Sequence, residues 1–232
     1  MKIKFWYIFF GASLMACSTY LNPNLKVRSL VIENQNSDSE IAEQLAPYQD
    51  SLHREFDQNI AFTPVDLIVQ RPSSNLMNWC ADAVYYSQIG KTQLNEPVIC
   101  LLNKGGIRAS FGAGNLSLAD FYKLMPFDNR LVWVHLPVRK IKEIEHYISH
   151  SGGEPMANCT FEKDQLHIVG LLPEHQFIWV LTADFLANGG DQMNFFLNEE
   201  KKETNILLRD IFIQTAKQQG KLIIDQNQRH YP

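Results

Sequence analysis

The sequence has no apolar run long enough to cross a bilayer comfortably. The longest, Phe5 to Met15, has eleven residues, against the roughly 20 a membrane-spanning helix needs. Cysteine is scarce, with four in 232 residues and no CxxC pair, which argues against a structural zinc site. The seven histidines stand nowhere in an H-x-H or D-x-H pattern. Neither a G-x-S-x-G motif nor a cysteine beside a candidate base occurs, which argues against serine and cysteine hydrolases. Positive charge is not in excess: 21 Lys and Arg face 25 Asp and Glu, a net charge of −4, so the chain does not read as a binder of nucleic-acid polymers. Apolar residues make up 45% and charged residues 20%, ordinary values for a globular domain that exclude collagen, coiled coil and overall disorder. Fourteen Phe and four Trp supply material for a sizeable core.

The first sixteen residues read as a leader. Lys2 and Lys4 precede the apolar run, which ends in Leu14-Met15-Ala16-Cys17. This order suits a signal peptide, and its last four residues resemble a bacterial lipobox. Cys17 is then the lipidated first residue of the mature chain. Ser18, rather than Asp, points to an outer-membrane destination. The expectation is a lipid-anchored protein of the cell envelope, with a leader at 1–16, a tether at 17–29 and one domain at 30–228. Removing the leader leaves a net charge of −6. Cys80, Cys100 and Cys159 sit in apolar contexts and read as buried small hydrophobes, with one disulfide open to them.

Helices and strands alternate irregularly. Ser37 and Glu40 have capping-box spacing, and Ile41, Leu45, Tyr48 and Leu52 follow at helical intervals, with Pro47 a candidate kink. Residues 60–70 read as extended. Ser73 or Ser74 caps a helix to about Tyr86, burying Leu76, Trp79, Cys80 and Ala83. Pro97 to Leu102 is a buried strand, Ser117 to Leu124 a short helix, and Leu131 to Leu136 an alternating strand. Val138 to Ser149 is an amphipathic helix. Strands are expected at 158–170 and 177–182, a helix at Asn205 to Gln218 closed by Gly220, and an edge strand at Leu222 to Ile224. The mixture implies an α+β or α/β layered fold.

Three segments could carry chemistry. Asn103-Lys104-Gly105-Gly106-Ile107-Arg108 follows the buried strand. Paired glycines permit positive φ or close approach, and an arginine beyond such a turn can grip phosphate oxygens in parallel. Pro126-Phe127-Asp128-Asn129 lies between a short helix and a strand, and Phe185 to Asp191 (FLANGGD) follows another strand. Taken singly, each has an ordinary explanation as a turn or a core plug. His146 and His150 are spaced i, i+4 on one helix but lack an evident third ligand, so a polar helix face is the expected reading.

In this order and spacing the segments resemble the C-terminal, substrate-binding domain of the 5′-nucleotidase family. The family pattern is an N-G-G-G-I-R turn, a P-F-x-N loop and a late F-x-A-x-G-G-D-G-Y segment. Arg71 with Ser74 to Ala83 matches a fourth run. The resemblance covers about residues 30–225 and implies a four-layer α/β/β/α sandwich. It also implies roles. Phe127 and Phe185 would stack on both faces of a nucleobase. Asp191 would accept hydrogen bonds from ribose hydroxyls. Arg71, Asn103 and Arg108, with the backbone of Gly105 and Gly106, would hold the phosphate. Asn129 would shape its loop, and Asp82 would be structural. Lys104 replaces the middle glycine of the triplet, and Gln192-Met193 replace the usual Gly-Tyr.

The family's dimetal motifs, D-x-H, G-D and G-N-H-[DE], have no counterpart here. No catalytic residue or cofactor is therefore expected in this chain, and divalent metals belong to a partner catalytic domain. The implied function is to bind a nucleoside monophosphate or nucleoside and position it for hydrolysis by a separate metallophosphoesterase chain. The alternatives are an envelope lipoprotein that binds nucleotides without hydrolysing them, and a structural scaffold that has lost the ligand.

Overall fold

The computed structural model describes residues 39–90 and 94–231. Cys17, the leader, the tether and Ser37 lie outside the described residues. The chain divides into two units, Met1–Leu45 and Ala46–Pro232. Of the first, only residues 39–45 are described, and they open helix α1 (Ser39–Phe56), which runs through Pro47. In the second unit, the helix presents Tyr48 and Leu52 to solvent. The helix forms as the spacing predicts, but these two residues are left largely exposed rather than buried. No described helix is long and apolar enough to cross a membrane.

The larger unit is built on a five-stranded mixed sheet in the order β5-β2-β8-β4-β9. Its strands are β2 (Val98–Leu101), β4 (Arg130–Pro137), β5 (Met156–Ala157), β8 (Phe177–Ala183) and β9 (Glu200–Leu207). β2 and β8 run parallel, with Cys100 opposite Leu181. β4 runs antiparallel to β8, with Leu131 opposite Ala183. Two smaller sheets pair β1 (Asn59–Thr63) with β3 (Gly114–Ser117), and β6 (Cys159–Glu162) with β7 (Gln165–Ile168) and β10 (His230–Tyr231). The fold class is the mixed α/β one expected.

Helix α2 (Asn75–Gln88) starts where Ser74 accepts a hydrogen bond from the Met77 amide, as its N-cap position demands. It packs on β2, β5 and helix α6 (Leu208–Gln219), which comes after the short helix α5 (Asp184–Ala187) in the chain. Leu76, Trp79, Cys80 and Ala83 are all buried there, as their spacing requires. Helix α3 (Leu118–Leu124) carries a complete capping box between Ser117 and Asp120. Helix α4 (Ile141–Ser151) buries Ile141, Ile144 and Ile148 and packs on β7. The three cysteines are buried and unpaired. Burial pushes the Cys159 thiol up to about 12, against the nearby Arg229, and it raises Cys80 and Cys100 further, so none is a reactive thiolate at neutral pH.

Four expectations need correction. β4 does not alternate: apart from the end Arg130 and the half-buried His135, its other six residues (Leu131 to Val134, Leu136 and Pro137) are all buried, as suits an inner strand flanked by β8 and β9. Residues 205–207 belong to β9, not to the last helix, which begins at Leu208. β9 (EKKETNIL) has no apolar alternation because it is a solvated edge strand, and lysines suit such an edge. Residues 158–170 hold two strands, joined at Lys163 and Asp164, both with positive φ, as a tight hairpin requires. Residues 222–224 form no strand. Only Lys221 bridges to Phe62, and Ile223 is exposed. The pairing instead falls to β10, after a crossing segment in which buried Asn78 donates to the carbonyls of Asp225 and Asn227.

Candidate functional site

Strand direction brings the three candidate segments to one end of the sheet. β2 and β8 are parallel, so the Asn103 turn and the Phe185–Asp191 segment leave from neighbouring carboxyl ends. Thr182 Oγ1 donates to the Leu101 carbonyl at 2.7 Å and joins those ends. β4 is antiparallel, so the loop before it, with Phe127, arrives at the same end. Ligand sites in α/β sheets form at such places, outside the carboxyl ends of the strands.

There, Asn103, Gly105, Gly106, Arg108, Phe127, Asn129, Phe185 and Asp191 line a pocket of about 300 Å³. Seven of these eight were singled out as site residues from the sequence. Phe127 and Phe185 are large aromatics left 42% and 49% exposed, so neither is a core plug. Asn129 was expected to shape its loop without facing a ligand, but it lines the pocket as well.

The two glycines of the turn are needed for space rather than for dihedral angle. Lys104–Gly106 forms a 3-10 turn, and neither glycine has positive φ. A Cβ on Gly106 would lie 2.8 Å from Asn103 Oδ1. Asn103, nearly buried, donates from Nδ2 to Asp191 Oδ2 at 2.5 Å. Gly190 serves Phe185 in the same way: a Cβ there would come within 2.5 Å of its ring. Asp191 and Gln192 hold φ of +50° and +65°, unusual for residues with side chains. Gln192 therefore occupies a conformation that a glycine would adopt freely. Met193 is fully buried and does not line the pocket.

Arg71 stands apart from the pocket lining. Its Nη2 lies 2.5 Å from Glu154 Oε1, and its Nε donates to the Gly153 carbonyl at 2.9 Å. Glu154, which sequence reasoning missed, has a wholly buried side chain. Its Oε2 accepts the Lys104 amide at 2.6 Å, so one carboxylate joins Arg71 to the glycine turn. Tyr147 approaches the same carboxylate at 3.5 Å. Burial, Glu154 and Asp191 raise the Tyr147 pKa, against Arg71, and the phenol stays neutral. The one signal of Glu154 in the sequence was the preceding Gly152-Gly153. Both have positive φ, and a Cβ on Gly153 would overlap the Pro72 carbonyl.

Asp82 is structural, as expected: Arg229 binds it with two hydrogen bonds, at 2.8 and 2.6 Å. His146 and His150 stand with ring centroids 4.0 Å apart and line a neighbouring open cleft of about 520 Å³ with Lys142, Tyr147 and Gln192. Among the described residues, no three His, Cys, Asp or Glu side chains come together so as to hold a metal ion.

The fold is similar to that of solved 5′-nucleotidases, and part of the chain matches their C-terminal domain. Residues 59–158 match the family model described as 5′-nucleotidase, C-terminal domain. The trifunctional nucleotide phosphoesterase protein YfkN of Bacillus subtilis is 28% identical over 116 residues, 48% of this chain and 8% of that protein. Among solved structures, the 5′-nucleotidase precursor of Thermus thermophilus superposes with a TM-score of 0.62 at 22% identity, over 84% of this chain and 43% of that one. The NAD nucleotidase of Haemophilus influenzae gives 0.61 at 16% identity, over 85% and 42%. These structures share the fold, and the chain spans less than half the length of either.

Proposed function

We propose that this chain binds a nucleoside monophosphate or nucleoside and positions it for phosphate-ester hydrolysis by a metallophosphoesterase domain supplied in trans. The observation that carries this reading is the convergence of Phe127, Phe185, Asp191, Asn103 and Arg108 on one pocket. Each part of a nucleotide finds a partner of the right chemistry there. Two exposed aromatic rings suit a base, because base–aromatic stacking contributes roughly 1–3 kcal/mol per base and tolerates different bases. The Asp191 carboxylate suits ribose hydroxyls. Arg108 is exposed, with Nη1 only 3.4 Å from its own Gly105 carbonyl, which leaves most of its donors for phosphate oxygens. Arg71 acts at one remove, through Glu154 and the Lys104 amide. The metal ions that activate water would be held by the partner domain. The lipobox-like Leu14 to Cys17 supports a lipid-anchored place in the envelope, with the outer membrane as destination.

Calorimetric titration of residues 18–232 with AMP, adenosine and UMP in metal-free buffer tests the reading. AMP is expected to bind, and Phe185→Ala to weaken it by roughly 1–3 kcal/mol. No binding of any of the three at millimolar concentration would overturn it.

A further inference from the structure

Residues 125–129 form the loop that carries Phe127, and they contain no regular secondary structure. A loop of this kind does not by itself hold an aromatic ring in one place. Here its backbone is gripped from the far side of the chain. Arg209, the second residue of α6, is nearly buried at 7% exposure. Its Nη1 donates to the carbonyls of Met125, at 3.1 Å, and Phe127, at 3.4 Å. Its Nη2 pairs with Asp128 Oδ1 at 2.7 Å. The neighbouring Leu208 amide donates to the Asn129 carbonyl at 2.9 Å. Two consecutive residues at the β9–α6 junction therefore take three of the loop's carbonyls and its carboxylate. The guanidinium also lies over the Tyr122 ring, with Cζ 4.3 Å from the centroid.

We propose that Arg209 is a positioning residue for ligand binding: with Asp128 as its outer latch, it holds the Phe127 loop so that the ring is in place before a base arrives. This rests on the reading of Phe127 and Phe185 as base-stacking rings. The physical argument is preorganisation. A ring that must be ordered on binding loses affinity to that ordering, whereas a ring already fixed does not. Arginine suits the task because its planar fork can meet two carbonyls and a carboxylate at once. Lysine, a point charge on a flexible stem, cannot. Asp128 pairs with the nearly buried Arg209 charge, and its own side chain is 78% exposed, so water can take over part of that pairing when Asp128 is changed to Asn.

The test compares wild type, Asp128→Asn, Arg209→Lys and Phe185→Ala by two measurements on residues 18–232. Backbone hydrogen exchange of the 125–129 segment without ligand reads the anchoring. Calorimetry with adenosine reads its consequence. Exchange in this segment is expected to quicken in Asp128→Asn by more than in the rest of the chain, beyond what any drop in melting temperature accounts for, and more so in Arg209→Lys. Adenosine affinity is expected to fall about five- to tenfold in Asp128→Asn, part of the stacking contribution. If Phe185→Ala weakens adenosine binding while Asp128→Asn and Arg209→Lys bind as wild type does, the proposal is overturned and the stacking reading stands. Absence of adenosine binding in wild type would overturn the stacking reading and the binding role of Arg209 with it. Unchanged exchange in both loop variants would overturn the anchoring.

Discussion

At the scale of single residues, the pocket depends on places where a side chain is missing. Gly190 carries no Cβ where the Phe185 ring passes. Its backbone angle is one that alanine can adopt, since it is not among the glycines of positive φ. Gly190→Ala is therefore expected to swing the exposed ring aside. Adenosine affinity should drop by roughly 1–3 kcal/mol while the melting temperature barely moves. A variant that binds adenosine normally would show that the ring does not need its place against Gly190. Arg108→Ala is the complementary case. Arg108 is exposed and its best hydrogen bond within the chain is long, so the substitution should spare stability and adenosine binding. It should weaken AMP by about 1.5–3 kcal/mol, the range of a hydrogen bond to a charged group. Equal losses for AMP and adenosine would place the phosphate elsewhere.

At the scale of elements, the site is held by connections between loops rather than by any one helix or strand. Glu154, after α4, ties the approach to α2 through Arg71 and the turn after β2 through the Lys104 amide. Replacing it by Gln keeps the shape but leaves the Arg71 guanidinium facing an amide. Arg71 is 44% exposed, so water screens much of that charge, and the expected loss of stability is about 1–3 kcal/mol. The informative readout is the ratio of ligands. Glu154→Gln should weaken AMP more than adenosine, because it loosens the phosphate turn and leaves the rings alone. A melting-temperature loss with both affinities intact would leave Glu154 a folding residue only.

At the scale of the whole molecule, the last segment of the chain is a source of acid sensitivity. His230 in β10 is buried beside Phe161, and burial lowers its pKa against the opposing charge of Asp164. The unfolded chain, with an ordinary imidazole near pH 6.5, then binds the proton more readily than the fold does. Stability from this group is complete above that pH and declines as pH falls through it. Asp225 acts in the same direction at lower pH. Burial disfavours its ionised form, but hydrogen bonds from Arg229 and Asn227 outweigh burial and lower the pKa. Its contribution is present above an ordinary carboxylate value and is lost as pH falls through the lowered one. Melting temperature is therefore expected to fall between pH 7 and about 5.5 in wild type and to fall less in His230→Gln, where no proton is taken up. Identical slopes in the two proteins would exclude His230 as the cause.

The amino-acid order alone carried the local parts. The cap at Ser73 or Ser74, the apolar face of α2, the buried run of β2 and the short helix from Ser117 to Leu124 rest on interactions within a few residues, and short-range spacing reads them directly. It also determined seven of the eight pocket residues, because Asn103 to Arg108, Phe127 to Asn129 and Phe185 to Asp191 are contiguous segments whose order matches a family pattern. What depends on pairing at a distance emerged only in the complete fold. β9 is polar and becomes a strand because β4 offers it an edge. The Leu222–Ile224 segment lost its strand to β10 because Asn78 and Arg229 route the chain past it. Glu154 and Arg209 look like ordinary charges in the sequence, and they matter because the fold brings their partners from 83 and 81 residues away. Local preference fixes which segments can form an element or a turn. Burial and hydrogen-bond satisfaction, which are settled only by the complete fold, fix which charges hold those segments in place.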